Sequence, residues 1–283
     1  MKNAWSAVLF LVVAALTPAV AWPSDLPFGG KHLPQLVDSS NLVVVIKKAD
    51  QLPGGSIEAA LFEVTVDTVL KGRAPSKKLT VLVTLIERAV SIGDFSGAVA
   101  FLRGPMSEPA LREWGIVASG DVYQVAAAGN GLIAMNPARL DAVESYIAAA
   151  EAPAGTNVKM KWAERQVKKP DDFLQTSAVF EIQRQKDKER ALKALSTVVR
   201  SDASTLNARK LAVQVLASSP TTNATDVLQA AAENRRIPAL IRRDAVAALS
   251  DRADGAAVLE KWKDSKDLLL SSEAEKLAGK KKE

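Results

Sequence analysis

The sequence predicts an α+β protein of two domains, an N-terminal antiparallel β-barrel followed by a C-terminal all-α domain of helical repeats. From Trp22 to about Met135 the apolar residues form short runs rich in β-branched residues, separated by Gly, Pro, Asn and Asp, which is typical of strands. From Asn136 onward they recur at helical spacing. Residues 22–150 carry 11 Lys or Arg and 13 Asp or Glu, whereas residues 151–283 carry 25 and 19. These formal charges of −2 and +6 indicate two different modules.

Residues 1–21 are typical of a secretory signal peptide. Lys2 supplies a positive start, an apolar stretch follows, and Ala19 and Ala21 are the small residues expected before a cleavage site. An uncleaved membrane anchor is the alternative, but a spanning helix needs about 20 apolar residues and this run is interrupted. We therefore expect cleavage before Trp22, no transmembrane segment in the mature chain, and export to the periplasm or the extracellular medium.

The first domain is expected over residues 22–150. Its predicted strands are residues 41–47, 59–70, 78–86, 98–103, 122–127 and 131–135. In the second strand apolar and polar residues alternate from Phe62 to Asp67, as expected when one face is buried. Five or six short antiparallel strands predict a small barrel or a sandwich. A closing helix is expected after Asn136, a good N-cap that is followed by Pro137.

Three segments of this domain carry a family resemblance: FEVTVDTVLKGRAPSKKLTVLV, GAVAFLRGP and VYQVAAAGNGLI. They resemble the small barrels of exported bacterial proteins, namely the oligonucleotide/oligosaccharide-binding (OB) fold and the netrin-like module. The resemblance implies an OB-like barrel. Netrin-like protease inhibitors rely on cysteines, which this chain lacks. Nucleic-acid binding is not expected, because the aromatic residues Phe62, Phe95, Phe101 and Tyr123 are isolated in a net negative domain.

The second domain is expected over residues 158–278, after a linker at 151–157 and before a basic tail at 279–283. The segments 206–216 and 239–249 align at an offset of 33 residues, and a fainter copy around Ala178 precedes them by 34. Two helices per period of this length predict an α-solenoid. The aligned segments resemble the second helix of HEAT-type repeats, and an irregular helical bundle is the alternative.

The same alignment places Arg209 opposite Arg242 and Lys210 opposite Arg243. If the helices stack, these four residues form a basic ridge. One interpretation is a contact stripe for an acidic or phosphate-bearing partner. The other is that the four residues brace the stack by pairing with neighbouring carboxylates.

Few residues suggest catalysis. The chain has no cysteine, a single histidine (His32, expected to be a solvated loop side chain) and no phosphate-binding glycine loop, so no cofactor or metal site is expected. The leading hypothesis is a non-enzymatic envelope protein that binds another envelope or secreted protein through its repeats. Alternatives are a barrel that binds a glycan or small ligand, an anionic glycan or lipid phosphate as the partner, and a hydrolase with paired carboxylates among Glu63, Asp67, Glu87 and Asp94.

Overall fold

The computed structural model describes residues 32–56, 59–84, 97–127, 131–134, 136–153, 156–219 and 221–280. The predicted signal peptide, with Ala19 and Ala21, and tail residues 281–283 lie outside the described residues. Within the described part of the chain, no helix is both long and apolar enough to cross a membrane.

Strands form at all six predicted places. Helix α1 (Leu33–Ser39) precedes them, and the elements that follow are β1 (Leu42–Ser56), β2 (Ala59–Lys71), β3 (Lys78–Thr84), β4 (Ala98–Arg103), α2 (Glu108–Glu113), β5 (Val122–Val125) and β6 (Leu132–Ala134). Strand β1 extends well beyond the predicted end at Lys47, because it pairs with β2 as far as Ser56. A register shift between Gln51 and Gly55 accommodates Pro53 and Gly54, residues that are typical of turns.

The strands close into a five-strand barrel in the order β1-β2-β3-β5-β4, with β4 returning to β1 and β6 added beside β4. The expectation of antiparallel pairing throughout is wrong at one place, since β3 and β5 run parallel. The cause is geometric: strand direction cannot alternate around a closed ring with an odd number of strands. One parallel pair is therefore unavoidable.

Aliphatic side chains fill the barrel interior. Inward-facing residues alternate along the strands, among them Leu42, Val44 and Ile46 of β1, and Phe62 and Tyr123 are buried with them. Small barrels filled in this way have no interior space for a ligand. The outward-facing Val43 and Val45 belong instead to a second core shared with helices. Residues 42–46 of β1 are all apolar, which fits the burial of both faces of this part of the strand.

The C-terminal part is helical. Its helices are α3 (Pro137–Glu151), α4 (Val158–Gln166), α5 (Asp172–Gln183), α6 (Lys188–Arg200), α7 (Leu206–Ala217), α8 (Thr222–Glu233), α9 (Ala239–Ser250), α10 (Ala256–Trp262) and α11 (Leu268–Lys280). From α4 onward consecutive helices pack in pairs, and α5, α7, α9 and α11 stack side by side. The result is a two-layer stack, with α7 and α9 at the positions that the internal alignment predicted.

The apolar core is continuous between the barrel and the helices. The predicted linker lies between α3 and α4, yet Trp162 of α4 packs edge-on against Tyr146 of α3 and donates a hydrogen bond of 3.0 Å to the Ala142 carbonyl. Helix α1 packs on α5, where the Leu33 amide donates to Ser177 Oγ at 3.0 Å. Helices α1 and α3 thus join the barrel to the first helix pair of the stack, α4 and α5.

Candidate functional site

The structure divides the predicted basic ridge into two buried and two more exposed residues. The Arg209 side chain is only 5% exposed. Its Nη2 donates to the Ser201 carbonyl and lies 3.4 Å from Asp202 Oδ1. Its Nε and Nη1 have no hydrogen-bond partner among the described residues. Arg209 therefore holds the loop before its own helix and presents little surface to a partner.

Arg242 is also buried, but both its Nε and its Nη2 donate hydrogen bonds. Its Nε donates to the Ala232 carbonyl at 2.6 Å, at the end of α8, and its Nη2 donates to Asp267 Oδ2 at 2.6 Å, just before α11. Burial acts to raise the pKa of Asp267, but the hydrogen bond and charge of Arg242 outweigh it, so that pKa lies below its ordinary value. These contacts are those of a brace between two neighbouring loops.

The other two ridge residues lie nearer the surface. Lys210 is half-buried. Burial raises the pKa of the Asp244 carboxyl, and the positive charge of the nearby Lys210 opposes this rise. Arg243 is exposed, and its Nε lies 3.4 Å from Glu273 Oε1. The ridge is thus not a continuous exposed stripe.

A third brace occupies the equivalent position of α5, where Gln175 lies 34 residues before Arg209. Its Nε2 donates to the Lys169 carbonyl at 2.7 Å and to the Ala203 carbonyl at 2.9 Å, and its Oε1 accepts from the Thr205 amide at 2.7 Å. Sequence reasoning missed this residue because glutamine carries no charge. The 34-residue offset of the faint first copy would have found it.

The braces show that α5, α7, α9 and α11 begin at one edge of the stack. Asp172, the first residue of α5, accepts from Asn207 at the start of α7 at 2.9 Å. Arg252, just after α9, donates to the Leu216 carbonyl in the last turn of α7 at 3.2 Å, so these two helices run in the same direction. Arg242 near the start of α9 reaches Asp267 at the start of α11.

Three large apolar side chains are exposed along that edge. Leu206, Leu240 and Leu268 lie in the first turns of α7, α9 and α11, and they are 45%, 41% and 82% exposed. We call these three leucines, with the loops at 167–171, 201–205, 234–238 and 263–267, the leucine edge. In α5 the corresponding first turn holds Phe173, which is partly buried and stacked beneath the Arg139 guanidinium at 5.7 Å. The row of exposed apolar side chains therefore ends where α3 covers α5.

The loops of the leucine edge are basic, whereas the three interhelical loops of the opposite edge are together neutral. The four loops of the leucine edge contain six Lys or Arg and four Asp or Glu, a formal charge of +2. The loops of the opposite edge, at 184–187, 218–221 and 251–255, contain three of each. Three of the four acids of the leucine edge are also paired with arginines from the helices: Asp171 with Arg139 at 2.8 Å, Asp202 with Arg209 at 3.4 Å, and Asp267 with Arg242 at 2.6 Å. The charge that remains for a partner is positive.

A second polar cluster lies where α1, α3 and α5 meet. The buried Glu181 carboxylate accepts from the Tyr146 hydroxyl at 2.8 Å and lies 3.7 Å from Arg184, which binds Asp38 at 2.7 Å. Burial raises the pKa of Glu181, and burial and the neighbouring Glu181 charge raise the pKa of Tyr146. These groups satisfy one another, which identifies a structural joint between the barrel and the helices.

His32 belongs to the same joint. It is half-buried, caps α1, and stacks on Phe180 of α5 with ring centroids 5.0 Å apart, and burial lowers its pKa. The expectation of a solvated loop side chain is wrong, because α5 packs against the start of α1. Sequence spacing could not show that contact.

The barrel does not assemble the predicted carboxylate pair from the residues described. Glu63 pairs with Lys78 at 2.6 Å, and Asp67 is exposed further along the same strand. Glu87, Asp94 and Phe95 lie outside the described residues. Phe62, Phe101 and Tyr123 are buried in apolar cores and cannot stack on a sugar ring without unfolding. In the described ranges no group of three or more His, Asp or Glu side chains could hold a metal ion.

Comparison of the chain with protein-family models, with curated proteins and with solved structures finds no match in any of the three. The functional conclusion therefore depends on the geometry of the chain itself.

Proposed function

We propose that this protein is an exported, non-enzymatic interaction protein of the bacterial envelope, in which an OB-like barrel supports a HEAT-like repeat domain that binds another protein. The leucine edge carries the proposal. Three exposed leucines, one in the first turn of each of three neighbouring stacked helices, form the type of surface through which solenoid proteins bind partners. Covering each leucine would contribute about 1 kcal/mol of binding free energy.

Two further observations support a supporting role for the barrel and a binding role for the helices. The five-strand order β1-β2-β3-β5-β4, closed through β4 and β1, is compatible with an OB-like barrel, and its filled interior suits a support better than a ligand container. The offsets of 34 and 33 residues between the starts of α5, α7 and α9 suit a HEAT-like repeat. The apolar joint with α1 and α3 would hold the first repeat rigidly against the barrel.

The test is recovery of the tagged full-length chain after crosslinking in cells, followed by mass spectrometry. We expect one stoichiometric protein partner, which is lost from the variants Leu240→Glu and Leu268→Glu. Val117→Glu is the matched control, because Val117 is a 97% exposed apolar residue of the barrel domain. All variants should keep the wild-type melting temperature.

Equal recovery of the partner with the leucine variants would contradict the proposal, as would equal loss with Val117→Glu. If no protein is recovered and the wild-type chain instead binds anionic glycan or anionic phospholipid vesicles, the alternative partner class replaces the proposed one.

A further inference from the structure

We infer that the leucine edge recognises an acidic segment of its partner that carries aliphatic residues about 10 Å apart. This inference rests on the proposed function and specifies the chemistry of the partner. It combines two independent features of the edge, its charge and the spacing of its exposed leucines.

The charge of the edge favours an acidic partner. Lys168, Lys169, Arg236 and Lys266 are exposed, and none of their side chains forms a hydrogen bond or ion pair within the part of the chain that the structure describes. They lie in the loops before α5, α9 and α11, so they flank the leucines along the row. A carboxylate-rich segment would gain attraction from these cations without breaking an existing ion pair.

The spacing of the leucines limits how the partner can bind. Neighbouring packed helices lie about 8–10 Å apart, so the first turns of α7, α9 and α11, each of which carries one of the leucines, repeat at about that distance. A polyproline II segment advances about 3.1 Å per residue with three residues per turn, so every third side chain lies on one face and meets the next leucine, whereas in a β-strand it would point away. Acidic residues between these anchors would face the flanking loops. The matching segment is therefore extended, with one aliphatic residue in three.

The same surface suits a phosphate polymer less well. The exposed leucines would make no apolar contact with a phosphate backbone. A formal charge of +2 over four loops is also small for a surface that neutralises several phosphates. A protein segment that combines apolar and acidic residues uses both features of the edge.

The experiment is selection of random peptides of about 12 residues, a length that spans three helices, on the immobilised full-length chain at low and at physiological salt. We expect enriched peptides with net negative charge and aliphatic residues at every third position. Their affinity should fall about tenfold in Leu240→Glu, by lost apolar contact and added repulsion, and severalfold in Arg236→Glu. Lys186→Glu is the matched control, because it makes the same change from a cation to an anion as Arg236→Glu but lies on the opposite edge, and it should bind the peptides like wild type.

Enrichment of neutral or basic peptides would overturn the inference, and so would acidic peptides that bind Leu240→Glu and Lys186→Glu equally well. A lack of enrichment would also overturn it, because a short segment would then not be the recognised element. If crosslinking in cells still gives a protein partner that depends on Leu240 and Leu268, the proposed function survives and only the acidic-segment inference fails.

Discussion

Replacing Arg242 by methionine tests whether the buried arginines are braces. Methionine keeps most of the apolar stem and removes the guanidinium, so the change isolates its hydrogen bonds. Arg242 and Asp267 are 8% and 13% exposed, and removing one partner of a buried pair costs about 3–5 kcal/mol. Asp267 would keep Arg235 at 3.1 Å and the Leu269 amide at 3.1 Å, which offsets part of that cost. The Ala232 carbonyl would lose its 2.6 Å donor. We therefore expect a loss of about 2–4 kcal/mol in the free energy of unfolding.

The assay is urea unfolding of both proteins followed by far-ultraviolet circular dichroism, with Arg243→Met as the matched control. Arg243 is 61% exposed and its ion pair with Glu273 lies at 3.4 Å, so its replacement should cost less than about 0.5 kcal/mol. Equal effects of the two substitutions would refute the brace. So would a loss at Arg242 below about 0.5 kcal/mol.

The pH dependence of Arg242→Met provides a second readout. Because the pKa of Asp267 is lower in the folded chain than in the unfolded chain, its contribution to stability is fully present above about pH 4 and is lost as the pH falls through the folded value. The difference between wild type and Arg242→Met should be largest near neutral pH and shrink below about pH 4. A difference that grows on acidification would contradict the assignment.

Three further outcomes follow from the structure. Gly72 has φ of +78°, and an added Cβ would overlap the Asn41 carbonyl, so Gly72→Ala should lower the free energy of unfolding by about 2–4 kcal/mol. Gly115 has φ of +67° with open space around it, so Gly115→Ala should lower it by only about 1 kcal/mol. Equal losses in thermal unfolding would exclude the overlap. Because the pKa of Glu181 is raised in the folded chain, its ionisation lowers the stability of the fold as the pH rises above about 4.3. The variant Glu181→Gln should therefore show a flatter dependence of stability on pH, and its free energy of unfolding at pH 7 should differ from that of wild type by less than about 1 kcal/mol. A larger loss at neutral pH would show that the charge is needed. The fragment 136–283, which keeps α3, should melt more cooperatively than 157–283, which exposes Trp162; identical melting would contradict the continuous core.

The sequence predicted most of the secondary structure, since period-two and helical patterns are local properties of the chain. Strands formed at all six expected places, and helices α7 and α9 coincide with the aligned segments. The parallel β3–β5 pair was missed because it follows from closure of the ring, a property of the whole barrel. The extent of β1 was missed because bulges absorb turn-forming residues that would end a free strand.

Prediction of the candidate site was less complete, because the identity of a residue does not determine its burial. Arg209 and Arg242 attracted notice as cations, yet their side chains point into the stack and bind carbonyl groups. Leu206 and Leu240 are apolar and carry no sequence signal of exposure, yet both are more than 40% exposed in the first turns of their helices. The edge becomes visible only when the helices are stacked.

The most direct test of the leucine edge is site-specific photocrosslinking in living cells, with a benzophenone amino acid placed at position 240 in one strain and at position 186 in another. Both positions are exposed, and they lie at opposite edges of the helical stack. We expect a single protein adduct at position 240, crosslinked through an acidic segment of the partner, and no adduct at position 186. Adducts of equal yield at both positions, or at position 186 alone, would contradict the claim that this edge is the binding surface.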